Sequence, residues 1–80
     1  APANADPATD YAALYHDAVC LTLDDYPTYA GIFGVGDGIA EDGFSYEDAG
    51  RIIRISINTY CQRHMALWDR FVAEYGSVSI

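Results

Sequence analysis

Apolar residues recur at helical spacing in four stretches of this 80-residue chain, and this pattern predicts amphipathic helices. The first stretch runs from Thr9 to Asp24. Its most regular apolar face consists of Tyr11, Leu14, Ala18 and Leu21. Pro27 follows the stretch, and a proline disfavours helical geometry in the residue before it. We therefore predict a first helix with one apolar face, the kind of face that ordinarily packs into a core.

The second stretch, from Thr28 to Glu41, combines helical spacing with a high density of glycine. Ile32, Val35 and Ile39 keep the helical period, whereas glycine occupies positions 31, 34, 36 and 38. Each glycine inside a helix costs up to about 1 kcal/mol relative to alanine. We predict a loosely held helix that packs closely against a neighbour through its glycines, with an irregular loop as the alternative.

The third stretch has a recognisable start. Ser45 to Asp48 resembles a capping box with aspartate in place of the usual glutamate, and Phe44 and Ala49 stand where a hydrophobic staple would. The predicted apolar face contains Ala49, Ile53, Ile57 and Tyr60, and the predicted polar face contains Arg51, Arg54, Asn58 and Gln62. Isoleucine is frequent here, but its spacing fits the period of a helix rather than that of a strand.

The fourth stretch spans Met65 to Tyr75 and ends at Gly76. Its apolar stripe contains Leu67, Trp68, Phe71, Val72 and Tyr75. Neither glycine nor proline lies between Gln62 and Met65, so the sequence leaves open whether the third and fourth helices form one bent rod. The four stretches together predict an all-α fold, a small bundle of three to four helices stapled by one disulfide, with a single helical domain over residues 9–76.

The N-terminal residues have the form of a processing site. Ala3-Asn4-Ala5 followed by Asp6-Pro7 resembles a signal-peptidase cleavage site, although such a pattern also arises by chance in an alanine-rich terminus. We interpret residues 1–8 as the end of a removed signal peptide with a disordered N-terminus, and residues 77–80 as a frayed tail. The sequence thus predicts a secreted or cell-envelope protein.

The net charge of the chain disfavours some classes of binding partner. The chain has twelve acids, four arginines and no lysine, which gives a formal net charge of -8. Nucleic acids and anionic membrane surfaces require a basic patch, so we expect neither as a partner. No apolar run approaches the ~20 residues of a membrane-spanning helix. We expect a monomer, kept in solution by its charge, whose partner is an unknown protein or a component of the cell envelope.

Two cysteines, Cys20 and Cys61, are the most informative residues for stability. An oxidising compartment favours their pairing, and closing this loop stabilises the folded state by roughly 4 kcal/mol in the chain-entropy model. A zinc site is the alternative, because His16 lies four residues before Cys20 and His64 three residues after Cys61. Two cysteines and two histidines at such spacings are compatible with tetrahedral zinc. We favour the disulfide.

Motifs for catalysis or cofactor binding are lacking. The segment from Gly34 to Gly38 lacks the last glycine of a dinucleotide fingerprint. Asp37, Glu41 and Asp42 do not match the calcium-binding loop of an EF-hand. There is no nucleophile elbow and no zinc-protease motif. We therefore predict that the protein is not an enzyme and that it has no catalytic residue, no metal site and no cofactor.

Aromatic residues beside the glycine-rich stretch are candidates for binding. Tyr26 and Tyr29 flank Pro27, and Phe33 lies off the apolar stripe of its predicted helix. An exposed aromatic cluster at this place would form a binding surface or open a pocket. A packed core and rim is the alternative, and we favour it.

The chain resembles a family of small secreted actinobacterial, chiefly mycobacterial, proteins known only as the domain of unknown function numbered 732. The residues that carry the resemblance are Asp10 to Leu14, Val19-Cys20, Phe44 to Ala49 and Tyr60-Cys61. The resemblance implies an exported helical domain with a disulfide between Cys20 and Cys61. A proline commonly follows the second cysteine in such proteins, and Gln62 takes its place here. No activity is established for the family, so none is implied.

The preferred interpretation is a secreted, disulfide-stabilised, non-enzymatic helical domain that interacts with a protein or with the cell envelope. Binding of a small apolar ligand between loosely packed helices is the second interpretation, based on the glycine-rich stretch opposite isoleucine and aromatic faces. A zinc-binding domain that uses His16, Cys20, Cys61 and His64 is the third.

Overall fold

Four α-helices make up the bundle in the computed structural model, which describes residues 7–76. They are α1 (Pro7–Asp25), α2 (Tyr29–Glu41), α3 (Tyr46–Tyr60) and α4 (Met65–Tyr75), with a 3-10 turn at Gln62–His64 between the last two. The all-α prediction is confirmed. The first helix begins at Pro7, two residues before the predicted start, and Ala8 is already buried. Residues 1–6 and the predicted frayed tail at 77–80 lie outside the described residues.

The core-facing side of α1 is not the face that the sequence pattern predicts. Its buried residues are Ala8, Ala12, Val19, Cys20 and Leu23. Leu14 and Leu21, from the predicted apolar face, are 75% and 60% exposed. The reason is that the disulfide holds the face of α1 that bears Cys20 against α3. The more regular stripe is therefore turned towards solvent.

The glycine-rich stretch is a helix, not a loop. Thr28 caps its N-terminus, where the hydroxyl accepts a hydrogen bond of 3.1 Å from the Gly31 backbone amide. Thr28 is a favoured N-cap residue, and its cap bond partly offsets the low helix propensity of the glycines that follow. Gly31 is needed for a close approach, because a Cβ atom there would meet the Tyr26 carbonyl oxygen.

Helix α3 supplies the centre of the core. Ser45 caps it as the capping-box pattern predicts, accepting a hydrogen bond of 3.1 Å from the Asp48 backbone amide. The buried residues of α3 are Ala49, Ile52, Ile53, Ser56 and Ile57. The Ser56 hydroxyl donates to the Ile52 carbonyl at 2.8 Å, so this buried polar group is satisfied. Tyr60, predicted on the apolar face, is 42% exposed instead.

Helices α3 and α4 are separate. Cys61 leaves helical geometry with φ -146° and ψ 65°, and the 3-10 turn follows before α4 starts at Met65. Helix α4 then packs against α2 through rings. Phe71 lies edge-on to Tyr29 at 5.7 Å and to Phe33 at 5.3 Å between ring centroids. Tyr29 and Phe33 therefore belong to a packed core and rim, whereas Tyr26, the third residue of the predicted cluster, is 64% exposed.

Cys20 and Cys61 form a disulfide that joins α1 to the end of α3, with 6.0 Å between their Cα atoms. Both cysteines are buried. One helical turn before Cys20, the His16 ring stacks on Tyr60, the residue before Cys61, at 3.8 Å between centroids. A second link between α1 and the end of α3 thus lies close to the covalent one along both helices.

An ion-pair network fixes the 3-10 turn to the end of α1. The Asp24 carboxylate accepts two hydrogen bonds of 2.8 Å from the Arg63 guanidinium. The same carboxylate accepts one of 2.7 Å from His64 Nε2, which must carry the proton because its partner is a carboxylate. The hydrogen bonds from Arg63 and then from His64 lower the pKa of Asp24 from 3.8 to about 2.

From the lowered pKa of Asp24 we predict how the stability of the folded state changes in acid. A carboxyl whose pKa is lower in the folded state stabilises that state above its unfolded pKa of 3.8, and this stabilisation is lost as the pH falls towards about 2. Asp24→Asn should therefore lower the melting temperature by a few degrees at pH 7 and make little difference at pH 2. Circular dichroism at both pH values measures this.

The neighbouring Asp25 provides a matched control. It is exposed, and no arginine or histidine pairs with it in the described part of the chain. Asp25→Asn should leave the melting temperature almost unchanged at pH 7. Equal melting temperatures for Asp24→Asn and the parent protein at pH 7 would contradict the proposed role of the network.

Candidate binding groove

Two glycines of α2 leave open space in front of α1. Gly34 and Gly38 are one helical turn apart and both are exposed. A Cβ atom added at either position would meet no neighbouring atom within 4 Å. The prediction that the glycines serve close packing against a neighbouring helix is therefore wrong for these two, and the close approach at Gly31 is to the Tyr26 carbonyl in the connection between α1 and α2. Their missing side chains leave a depression between the helices.

This depression is an apolar groove of about 270 Å³, which we call the α1–α2 groove. Its walls are Tyr11, Tyr15, Ala18, Val19 and Thr22 from α1 and Gly34, Val35, Gly38 and Ile39 from α2. None of these nine residues is charged. Drug-sized ligands occupy pockets of about 300–1,000 Å³, so the groove suits a smaller apolar group or a few side chains of a partner.

One end of the α1–α2 groove is fixed by Tyr11. Its hydroxyl donates a hydrogen bond of 2.6 Å to the Asp42 carboxylate, which follows α2. Its ring contacts Tyr15 at 4.6 Å and Phe44 at 5.0 Å between centroids. Burial, together with the bond to Asp42, raises the pKa of Tyr11 to about 12. The phenol therefore stays neutral at ordinary pH, and the bond spans from α1 to the residue after α2.

The groove continues into an exposed apolar stripe on α1. Ala18 lines the groove and lies four residues after Leu14 and three before Leu21. Residues at these spacings are neighbours on a helix surface. Leu14, Ala18 and Leu21, which we call the leucine stripe, thus form one apolar surface with the groove. Leu14 and Leu21 add two large, mostly exposed aliphatic side chains to this surface.

A second depression of about 440 Å³ lies between α3 and α4. It is lined by Glu47, Gly50, Arg51, Arg54, Trp68, Asp69 and Val72. Arg51 forms an ion pair of 3.5 Å with Asp48 on its own helix. Charged groups of both signs surround this depression, so it is less suited to an apolar ligand than the α1–α2 groove despite its larger volume.

The other predicted site residues are not brought together as a ligand set. Cys20 and Cys61 are bonded to each other, His16 stacks on Tyr60, and His64 binds Asp24. Within residues 7–76, no group of three or more histidine, cysteine or acidic side chains is placed to hold a metal ion. The four-residue zinc hypothesis therefore fails on geometry.

The acids near the glycine-rich stretch serve the fold. Asp37 accepts a hydrogen bond of 3.0 Å from the Tyr46 hydroxyl of α3, and Asp42 accepts the one from Tyr11. Each bond ties α2, or the residue that follows it, to a neighbouring helix. Both acids are therefore engaged with tyrosines of the chain itself.

Sequence reasoning missed Tyr11 and Tyr15 as lining residues and the leucine stripe as a surface. The available signal was the clash between two patterns on α1. One face carries Leu14 and Leu21, while Cys20 belongs to another face. A helix that is held against the core through Cys20 cannot bury both of these faces.

Among the described helices, none has both the length and the apolar character needed to cross a membrane. Comparisons of the chain with protein-family models, curated proteins and solved structures give no match.

Proposed function

We propose that this protein is an exported, non-enzymatic binding domain that holds an apolar group in the α1–α2 groove. The observation that carries the proposal is the open space in front of Gly34 and Gly38. Packing does not require glycine at either position, and each glycine costs up to about 1 kcal/mol of helix stability relative to alanine. The one thing that both glycines provide is room between the helices.

Export is supported by the disulfide, because such bonds persist in oxidising compartments. The form of Ala3 to Pro7 and the resemblance to the secreted domain-of-unknown-function family point in the same direction. A buried covalent link between α1 and α3 holds one wall of the groove in place. A binding domain gains affinity from such preorganisation.

Filling the groove should strongly weaken the binding of an apolar probe. Gly34→Leu and Gly38→Leu each place a side chain in the open space, and the added Cβ atom meets no neighbour. The probe is a neutral dye whose fluorescence rises in apolar surroundings, such as N-phenyl-1-naphthylamine. The parent protein should enhance its fluorescence, and each variant should bind it at least about tenfold more weakly.

The control is Ala73→Leu, which adds a leucine side chain at an exposed position of α4. It should bind the dye as the parent does. Melting curves verify folding, and the two glycine variants should be at least as stable as the parent because leucine favours a helix. Unchanged dye binding by folded Gly34→Leu and Gly38→Leu would refute the proposal.

A further inference from the structure

Charge is divided sharply between the two halves of this chain. All four arginines lie between residues 51 and 70, whereas ten of the twelve acids precede residue 51. Helices α1 and α2 therefore contain acids but no lysine or arginine. The face that bears the α1–α2 groove is formed by the acidic half. This face therefore attracts positively charged molecules.

The acids flank the apolar surface at regular helical positions. Asp10 lies four residues before Leu14, and Asp25 lies four residues after Leu21, which makes each pair neighbours on the surface of α1. On α2, Glu41 lies three residues after Gly38 and so extends the side that the groove glycines occupy. All three acids are exposed.

These three acids lack a cationic partner within the described chain. Among residues 7–76, the ion pairs use Asp17, Asp24 and Asp48. Asp10, Asp25 and Glu41 take part in none of them. Asp10 and Asp25 are therefore free to act on a molecule that approaches the groove, and removing the three charges should break no ion pair among the described residues.

We infer that the groove and the leucine stripe dock a basic amphipathic helix of a partner protein. The inference rests on the proposed function, because it uses the same groove. The partner's apolar side chains enter the groove and cover Leu14, Ala18 and Leu21, while its lysines or arginines face Asp10, Asp25 and Glu41. Recognition of an amphipathic helix by an apolar groove uses anchors at successive helical turns.

The dimensions of the surface fit a short helix. Leu14 and Leu21 are seven residues apart on α1, or about 10 Å at 1.5 Å per residue. The acids Asp10 and Asp25 widen this span to about 22 Å. A partner helix of about 14 residues covers that length, with apolar residues on one face and cations along both edges.

A second copy of this chain is disfavoured as the occupant. Two chains of net charge -8 repel each other, and docking groove to groove would place acid against acid. A basic partner gains attraction at the same positions. Charge thus selects the class of partner, while the apolar surface provides the contact.

Three synthetic helices test the inference directly. The first has about 14 residues with leucine on one face and lysine along both edges. The second replaces every lysine by glutamate, and the third replaces every leucine by serine. Titration calorimetry should show binding of the first peptide, and affinities at least about tenfold lower for the other two. Affinity for the first peptide should also fall as salt is added.

Matched variants separate local charge from net charge. Asp25→Asn combined with Glu41→Gln removes two charges beside the groove, whereas Asp69→Asn combined with Glu74→Gln removes two from α4. The first pair should weaken binding of the basic peptide about tenfold, and the second should leave it within about twofold. Leu14→Ser with Leu21→Ser should weaken it at least about tenfold.

Each other outcome overturns the inference in a recognisable way. Equal weakening by the two charge pairs would mean that net charge alone attracts the peptide. Dye binding in the groove without a preference for the basic peptide would refute the inference and leave the proposed function standing. Absence of both dye and peptide binding would refute both. A dimer that Leu14→Ser dissociates would identify a second copy as the occupant.

Discussion

Removing the Cys20–Cys61 disulfide should lower the free energy of unfolding by about 4 kcal/mol. The bond closes a loop with a sequence separation of 41 residues, and its loss restores conformational freedom to the unfolded chain. At about 0.05–0.15 kcal/mol per residue, a domain of this size has a total stability of roughly 4–12 kcal/mol. The double variant Cys20→Ala with Cys61→Ala should therefore lose at least about a third of the free energy of unfolding.

Urea unfolding of the oxidised parent and of the double variant measures the difference in their free energies of unfolding. A reductant should destabilise the parent and leave the double variant unchanged, which controls for effects of the reductant elsewhere. Reduction should also raise the intact mass of the parent by two hydrogen atoms. An unchanged mass, or equal unfolding midpoints for parent and variant, would contradict the role given to the bond.

Alanine at the glycines of α2 should have opposite effects at different positions. Gly31→Ala should destabilise the protein by about 1–3 kcal/mol, because the added Cβ atom overlaps the Tyr26 carbonyl oxygen and the backbone must move. Gly34→Ala and Gly38→Ala should each stabilise it by up to about 1 kcal/mol, because space is open and alanine favours a helix.

The three variants control one another, since each makes the same chemical change in the same helix. Urea unfolding monitored by circular dichroism gives the three free energies. Stabilisation by Gly31→Ala, or destabilisation by Gly34→Ala and Gly38→Ala, would contradict the packing of α2 at these positions. The expected order of the three unfolding free energies also distinguishes the two glycines that open the groove from the one that the fold requires.

Local rules were sufficient to predict most of the helices. The N-cap at Ser45, the stop at Gly76 and the proline after α1 each act within a few residues, and each coincides with a helix boundary in the structure. Pairing of the two cysteines follows from their number and from the predicted compartment. These features depend little on how the helices pack.

Features that depend on packing could not be predicted in the same way. The leucine stripe has the better helical spacing, yet the contacts of Cys20 and Ala12 with the core decide which face of α1 is buried. The break after Tyr60 has neither glycine nor proline, and long-range bonds from Asp24 to Arg63 and His64 hold the turn that follows. The groove itself needs the separation of two helices, which no single segment encodes.

The most direct test of the groove as the binding site is a map of amide chemical shifts during titration with the neutral dye. The largest changes should fall on both walls, at Ala18, Thr22, Gly34 and Gly38. Amides of the α3–α4 depression, such as Gly50 and Val72, should move little. Largest changes at Gly50 and Val72, or changes spread evenly over the four helices, would contradict the assignment of the α1–α2 groove.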